Sequence, residues 1–148
     1  MSKVSIYLNF QCQAEEAMNF YKQVFNSDFS APMSYIRDMP AEPGAPTLPE
    51  HEKHAVMHVA LPILNGVELM ASDMLESMGH KLIVGNNTTI NLTLDSKEEA
   101  DRLYMALSEG GPESDKAPMQ DQFWAYWGCC LDRFGIRWMF NVMKPAYS

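Results

Sequence analysis

The chain repeats itself. Ile90-Asn91-Leu92-Thr93-Leu94 restates Ile6-Tyr7-Leu8-Asn9-Phe10 at a shift of 84. Glu98-Glu99-Ala100 and Tyr104 restate Glu15-Glu16-Ala17 and Tyr21 at a shift of 83. Further on, Gly135-Ile136-Arg137-Trp138-Met139 lies over Gly66-Val67-Glu68-Leu69-Met70 at a shift of 69. The smaller last shift is what a longer loop in the first half produces. Such a repeat restricts the fold to two copies of one supersecondary unit. The copies cover about 1–75 and 86–143, within a single domain of 148 residues.

Periodicity supplies the content of each copy. Val4 to Phe10 alternates weakly and reads as a strand. Ala17, Phe20, Tyr21, Val24 and Phe25 form one apolar stripe on a helix from Ala14 to Phe25. Phe29 to Arg37 reads as a second strand. His54–Leu61 and Val67–Ser72 read as a hairpin turned at Asn65-Gly66, the dipeptide best suited to a two-residue turn. Asp73 to Gly85 connects the copies. In the second copy, Trp124–Leu131 and Ile136–Val142 flank Asp132-Arg133-Phe134-Gly135 and form another hairpin. The expected fold class is α+β: two tandem βαβββ modules forming a curved, cup-shaped mixed sheet with the helices on its outer face.

Composition removes several classes of function. A net charge of −8 argues against nucleic acid or an anionic membrane as partner. No apolar run approaches the roughly 20 residues a membrane helix needs. MSKVSIYLNF lacks the apolar core and cleavage site of a signal peptide, so a cytoplasmic location is expected. The 3 cysteines, two of them adjacent at Cys129 and Cys130, make no disulfide framework. On a strand, those neighbours point to opposite faces and do not share a metal. Twelve methionines suit an adaptable core or pocket wall. Pro40, Pro43, Pro46 and Pro49 keep the polyproline II period. That segment, 38–53, fits an exposed, stiffened loop or a PxxP ligand for a partner domain.

Several stretches carry a resemblance: YLNF at Tyr7–Phe10 with EEAMNFY at Glu15–Tyr21, HVAL and LMASD ending at Asp73, and QFWAYWGCCLDRFGIRWMFN at the end. With the paired βαβββ pattern, they make the chain resemble the PhnB-like family of the vicinal oxygen chelate superfamily, the glyoxalase, bleomycin-resistance and dioxygenase proteins. The resemblance implies homodimers that enclose a small molecule. In the superfamily's enzymes it implies one divalent metal, held by side chains on the first and last strand of each module. The matching positions fall near Ile6, Thr89, Met70 and Met139, with Tyr7, Ser72 or Asn141 reached by a slip of one residue. None is His, Asp or Glu, and thioethers are poor ligands for such ions. The expectation is a metal-independent small-molecule-binding protein with no cofactor. The alternative is a metal-dependent lyase, isomerase or dioxygenase. The family's association with ubiquinone methylation implies a nucleotide-like cofactor, for which no Gly-rich strand-to-helix loop is visible.

The candidate pocket residues follow from this pattern. Thr89 and Asn91 alternate with apolar residues that face the helix, and Met139 and Asn141 lie on the last strand. The same alternation also fits a solvated outer face. His58 fits a packed or pocket histidine or a lone acid/base. His54 and His58, four apart on a strand, would lie roughly 13 Å apart, too far to share an ion. Ser72 and Asp73 end the fourth strand, where Asp73 either orients His58 or caps the segment after it. Trp124 and Trp127, with Trp138, fit an aromatic wall of the cup or core and dimer contacts. Cys129 completes the set, although neither it nor Cys130 has an evident paired base.

Overall fold

The computed structural model describes residues 1–148. They form two compact units, Met1–Ile83 and Val84–Ser148. The first contains β1 (Ile6–Phe10), α1 (Ala14–Val24), β2 (Ser34–Tyr35), β3 (Val56–Pro62) and β4 (Glu68–Asp73). The second contains β5 (Ile90–Thr93), α2 (Lys97–Ser108), β6 (Ala117–Asp121), β7 (Ala125–Leu131) and β8 (Arg137–Met143). Their sheets have the orders β1-β4-β3-β2 and β5-β8-β7-β6. In each, the first strand runs parallel to the last and the other pairs are antiparallel. This is the tandem βαβββ arrangement with mixed, unclosed sheets.

The repeat survives at the level of individual pairs. Tyr7↔Met70 in the first sheet coincides with Asn91↔Met139 in the second, at shifts of 84 and 69. Val59↔Ala71 likewise coincides with Gly128↔Phe140 at 69. Each helix covers one face of its own sheet. Ala14, Ala17, Met18, Tyr21 and Val24 are the buried residues of α1, with Phe20 at the margin of the stripe. They meet a core that includes Phe10, Leu61 and Leu69. In the second unit Leu103 and Leu107 of α2 are buried, as are Trp138 and Phe140. Trp138 is therefore a core residue, not part of a pocket wall. Its indole N–H donates to Asp132 Oδ2 at 2.9 Å.

The helices begin by different means. Ser96 caps α2 locally, its hydroxyl accepting from Glu99 N at 3.2 Å. Gln13, at the head of α1, makes no side-chain cap. The cap comes instead from Asp73, whose Oδ1 accepts from both Gln13 N and Ala14 N at 3.0 Å. The Asn65-Gly66 turn forms as expected, with φ of 51° and 76° and Val67 N donating to Leu64 O at 3.1 Å.

The second strand departs from expectation. Phe29–Arg37 contributes only Ser34 and Tyr35, out of regular register against β3, and continues as a 3-10 turn over Ile36–Asp38. Pro32 has no N–H to give a ladder, and before it only Ser30 N reaches β3, at Ala60 O. β3 begins at Val56, because His54 lies in a turn beside Arg37. β4 runs one residue past Ser72, to Asp73. The Pro-rich loop is exposed for most of its length but ends on Glu52, which is 1% exposed. Glu52 accepts from the backbone and hydroxyl of Ser77, tying that loop to the segment after β4.

Candidate functional site

Side chains alternate across a strand, so each sheet has a helix-covered face and a helix-free one. In the second unit Tyr104 of α2 packs edge-on against Phe140, ring centres 5.8 Å apart. The Tyr126 hydroxyl donates to Asp101 of the same helix at 2.6 Å. This identifies the face of Phe140, Trp138, Cys130 and Leu92 as the covered one. The opposite face then carries Asn91 and Thr93 of β5, Trp127 and Cys129 of β7, and Met139 and Asn141 of β8. The register sets Asn91 beside Met139, Met139 beside Cys129, and Asn141 beside both Thr93 and Trp127. The Asn141 amide, 7% exposed, donates to Asn91 Oδ1. Trp127, Cys129 and Met139 are half-buried. Five of the sequence-predicted site residues thus meet on one small surface.

The first unit has the equivalent face, with Tyr7, Asn9, His58, Ala60, Met70 and Ser72. Tyr7 Oη and His58 Nδ1 lie 3.1 Å apart, the hydroxyl donating when Nδ1 is unprotonated. Their rings are 5.8 Å apart. Near His58 the Glu68 carboxyl is held below its ordinary range, chiefly by donors from Lys3 and Ser30.

Asp73 sits on the other face and does not touch His58. Its Oδ1 caps α1 and its Oδ2 accepts from Val56 N at 2.8 Å, so both oxygens are spent on backbone amides. It caps the helix before it in sequence, not the segment after. The second unit has a different buried acid: Asp132, in the β7–β8 turn, is 1% exposed and accepts from Phe134 N, Ile136 N and the Trp138 indole. Thr89 is exposed and precedes β5; Trp124 precedes β7 and packs edge-on with exposed Phe123 at 4.9 Å.

In the first module the observed register moves the inward position by one, from Ile6 to Tyr7. In the second, Asn91 takes the helix-free face as the alternation predicts, and Thr89, two residues earlier, lies just before the strand. With Met70 or Ser72 and Met139 or Asn141 beside them, these positions offer phenol, amide, hydroxyl and thioether. A divalent chelate centre needs imidazole or carboxylate, so this donor set does not fit one. No three His, Cys, Asp or Glu side chains come together as a metal-holding group. Cys130 is no nucleophile either: burial, with Asp132 adding, pushes its thiol up to about 12. What the second face can do is stack a flat group on Trp127, hydrogen-bond through the Asn91–Asn141 pair, and pack apolar atoms on Met139. Sequence reasoning missed Arg137, two residues before Met139 and on the same face. The alternation that selects Met139 and Asn141 selects Arg137 as well, two residues earlier.

The comparisons agree with this architecture. The family described as 3-demethylubiquinone-9 3-methyltransferase matches residues 2–140. Protein YjdN of Escherichia coli is 30% identical over 149 residues, covering 95% of each chain. The crystal structure of PA1353 from Pseudomonas aeruginosa superposes with a TM-score of 0.80 at 32% identity, covering 97% of this chain and 98% of that one. A Bacillus cereus structure described as a putative 3-demethylubiquinone-9 3-methyltransferase, PhnB protein, gives 0.72 at 24% identity, covering 95% and 99%. The β1–α1 and β5–α2 connections, Gln11-Cys12-Gln13 and Leu94-Asp95-Ser96, contain no glycine. The methyl-transfer name therefore finds no dinucleotide-type loop here. The chain belongs to the PhnB-like family, on the tandem βαβββ fold of the glyoxalase, bleomycin-resistance and dioxygenase proteins.

Proposed function

We propose that this protein binds a small organic molecule on the helix-free sheet faces, without a chelating metal, as a cytoplasmic homodimer. The observation that carries the reading is the convergence of Asn91, Trp127, Cys129, Met139 and Asn141 on one surface, exposed at Asn91, half-buried at Trp127, Cys129 and Met139, and buried at Asn141. A ligand site is mostly apolar with a few placed polar groups, and this surface has that composition. The buried Asn141 amide is fixed by Asn91 and leaves hydrogen-bonding capacity for a guest. His58, paired with Tyr7, supplies the corresponding face of the first module with an imidazole whose Nε2 can hydrogen-bond a guest. The exposed aromatic side chains of Phe123 and Tyr147 support self-association through the second unit.

The test is a thermal-shift screen of small organic molecules against wild type and Trp127→Ala. Ligands of this face raise the Tm of wild type and lose most of that shift in Trp127→Ala. Hits that stabilise both proteins equally would place binding elsewhere. Elemental mass spectrometry after incubation with Ni, Zn, Mn or Fe should find no stoichiometric metal. A near-equimolar ion would overturn the metal-free reading. Sedimentation at micromolar concentration reads the dimer independently.

A further inference from the structure

We propose that Arg137 anchors an oxyanion, a carboxylate or phosphate-type group, in the cleft at the hairpin end of the second sheet. The proposal rests on the reading that the helix-free face binds ligand, and it names the ligand's polar end. Arg137 opens β8 opposite Leu131, on the same face as Met139 and Cys129. It lines an open cleft of about 420 Å³ with Leu131, Val84, Gly85 and Asn86. That volume suits a small molecule.

The guanidinium is only partly engaged. Its side chain is 25% exposed, and Nη2 donates to Asp115 Oδ1 at 3.4 Å, longer than a good hydrogen bond. Nε–H is the one buried side-chain polar atom in the structure with no hydrogen-bond partner. Buried donors are nearly always paired, and one attached to a full positive charge is the costliest to leave unpaired. Nε–H and one Nη2–H are parallel donors on a single edge, the fork that matches two oxygens of a carboxylate or phosphate. Asp115, from a short 3-10 turn, presents one oxygen to Nη2 and none to Nε. An incoming oxyanion completes the fork and takes over from a weak intramolecular partner. Asp115 is then a competitor for the anion, and the two compete for the same charge.

The test follows the Arg137 Nε–Hε signal by nitrogen-15 NMR, assigned by its loss in Arg137→Lys. Inorganic phosphate and acetate are titrated separately into the intact protein, with chloride at matched ionic strength as control. The expected result is a saturable shift with one or both oxyanions and none with chloride; which of them saturates identifies the anion class. Arg137→Lys keeps the charge but not the fork, and should weaken binding about tenfold. Asp115→Asn should tighten it severalfold. No saturable shift up to tens of millimolar, or full affinity in Arg137→Lys, would overturn the proposal. If neutral molecules still bind in a Trp127-dependent way while oxyanions leave Arg137 unmoved, the anchor fails and the binding face stands. If neither happens, both fail.

Discussion

Replacing Asp73 tests whether a buried acid next to the candidate surface is structural or part of the ligand site. Its two oxygens accept three backbone N–H groups, from Gln13, Ala14 and Val56, at 2.8–3.0 Å. Hydrogen bonds to a charged group contribute about 1.5–3 kcal/mol each, and losing an N-cap costs about 1 kcal/mol. These terms overlap, and water entering the vacated space recovers part of the loss. Asp73→Ala should therefore cost about 4 kcal/mol, a large share of the roughly 5–15 kcal/mol that holds a domain together. Asp73→Asn keeps an acceptor for Gln13 and Ala14 but turns an N–H₂ group toward Val56 N–H, at about 2 kcal/mol. With a urea slope of about 2 kcal/mol/M, the midpoint falls by about 2 M for alanine and about 1 M for asparagine. Equilibrium unfolding in urea, followed by far-ultraviolet circular dichroism, reads both. Asp28→Ala, removing an acid whose side chain is 92% exposed, should leave the midpoint in place. An alanine variant within about 0.3 M of wild type at an unchanged slope would refute the capping role. Asparagine costing more than alanine would refute the assignment of the two oxygens.

Three further outcomes follow from other groups. Hydrogen bonds from Ser77 hold the Glu52 carboxyl below its ordinary 4.5, so its contribution to stability is present above that pH and is lost as pH falls through the lower folded value. Acid titration of stability should show wild type exceeding Glu52→Gln near neutrality and converging with it as pH falls from 4.5 through the lower folded value; a constant gap would contradict this. The hydrogen bond to Asp101 pushes the Tyr126 phenol up to about 12, and Asp101→Asn should bring it back toward 10 in an ultraviolet phenolate titration. Of the three free thiols, Cys130 should resist a disulfide-exchange reagent in the native protein and react only on denaturation. A Cys130→Ser variant with fewer native reactive thiols than wild type would count against that.

The parts of the fold readable from sequence are those where one physical signal acts alone. The stripe Ala17, Tyr21, Val24 defines α1, whose observed range ends one residue before Phe25. Asn65-Gly66 fixes a turn because both residues tolerate positive φ. Strand ends and faces are harder, because a strand's pattern reverses with a one-residue slip. Nothing local tells Ile6 from Tyr7 as the outward residue; the parallel pairing to Leu69 and Met70 does. The second strand fails for a different reason, since Pro32 and the 3-10 turn at Ile36–Asp38 break a segment whose composition suits a sheet. β6, Ala117–Asp121, carries too little apolar pattern to be located at all. In the site, the grouping of Asn91 with Asn141 and of Cys129 with Met139 depends on strand order, which the repeat implied. The role of Asp73 depends on contacts 59 and 60 residues away in the chain, and no local pattern encodes them. Arg137 and Asp132 sit in a stretch whose local pattern signals only a hairpin and its turn.

The matched registers of the two modules have a consequence for how such a protein changes over time. Tyr7, Asn9, His58, Ala60, Met70 and Ser72 occupy the same frame positions as Asn91, Thr93, Trp127, Cys129, Met139 and Asn141. Only the methionine recurs. On the covered faces both copies must fill a closed volume, and a change of one methylene there is felt. On the helix-free faces no helix packs over the exposed and half-buried positions such as Tyr7, Asn9, Thr93 and Cys129, so substitution there costs less stability. A duplicated module therefore arrives with one surface bound by packing and one open to variation. Binding preference can drift on the second while the first keeps the chain folded, so new guests can be acquired one face at a time without rebuilding the scaffold.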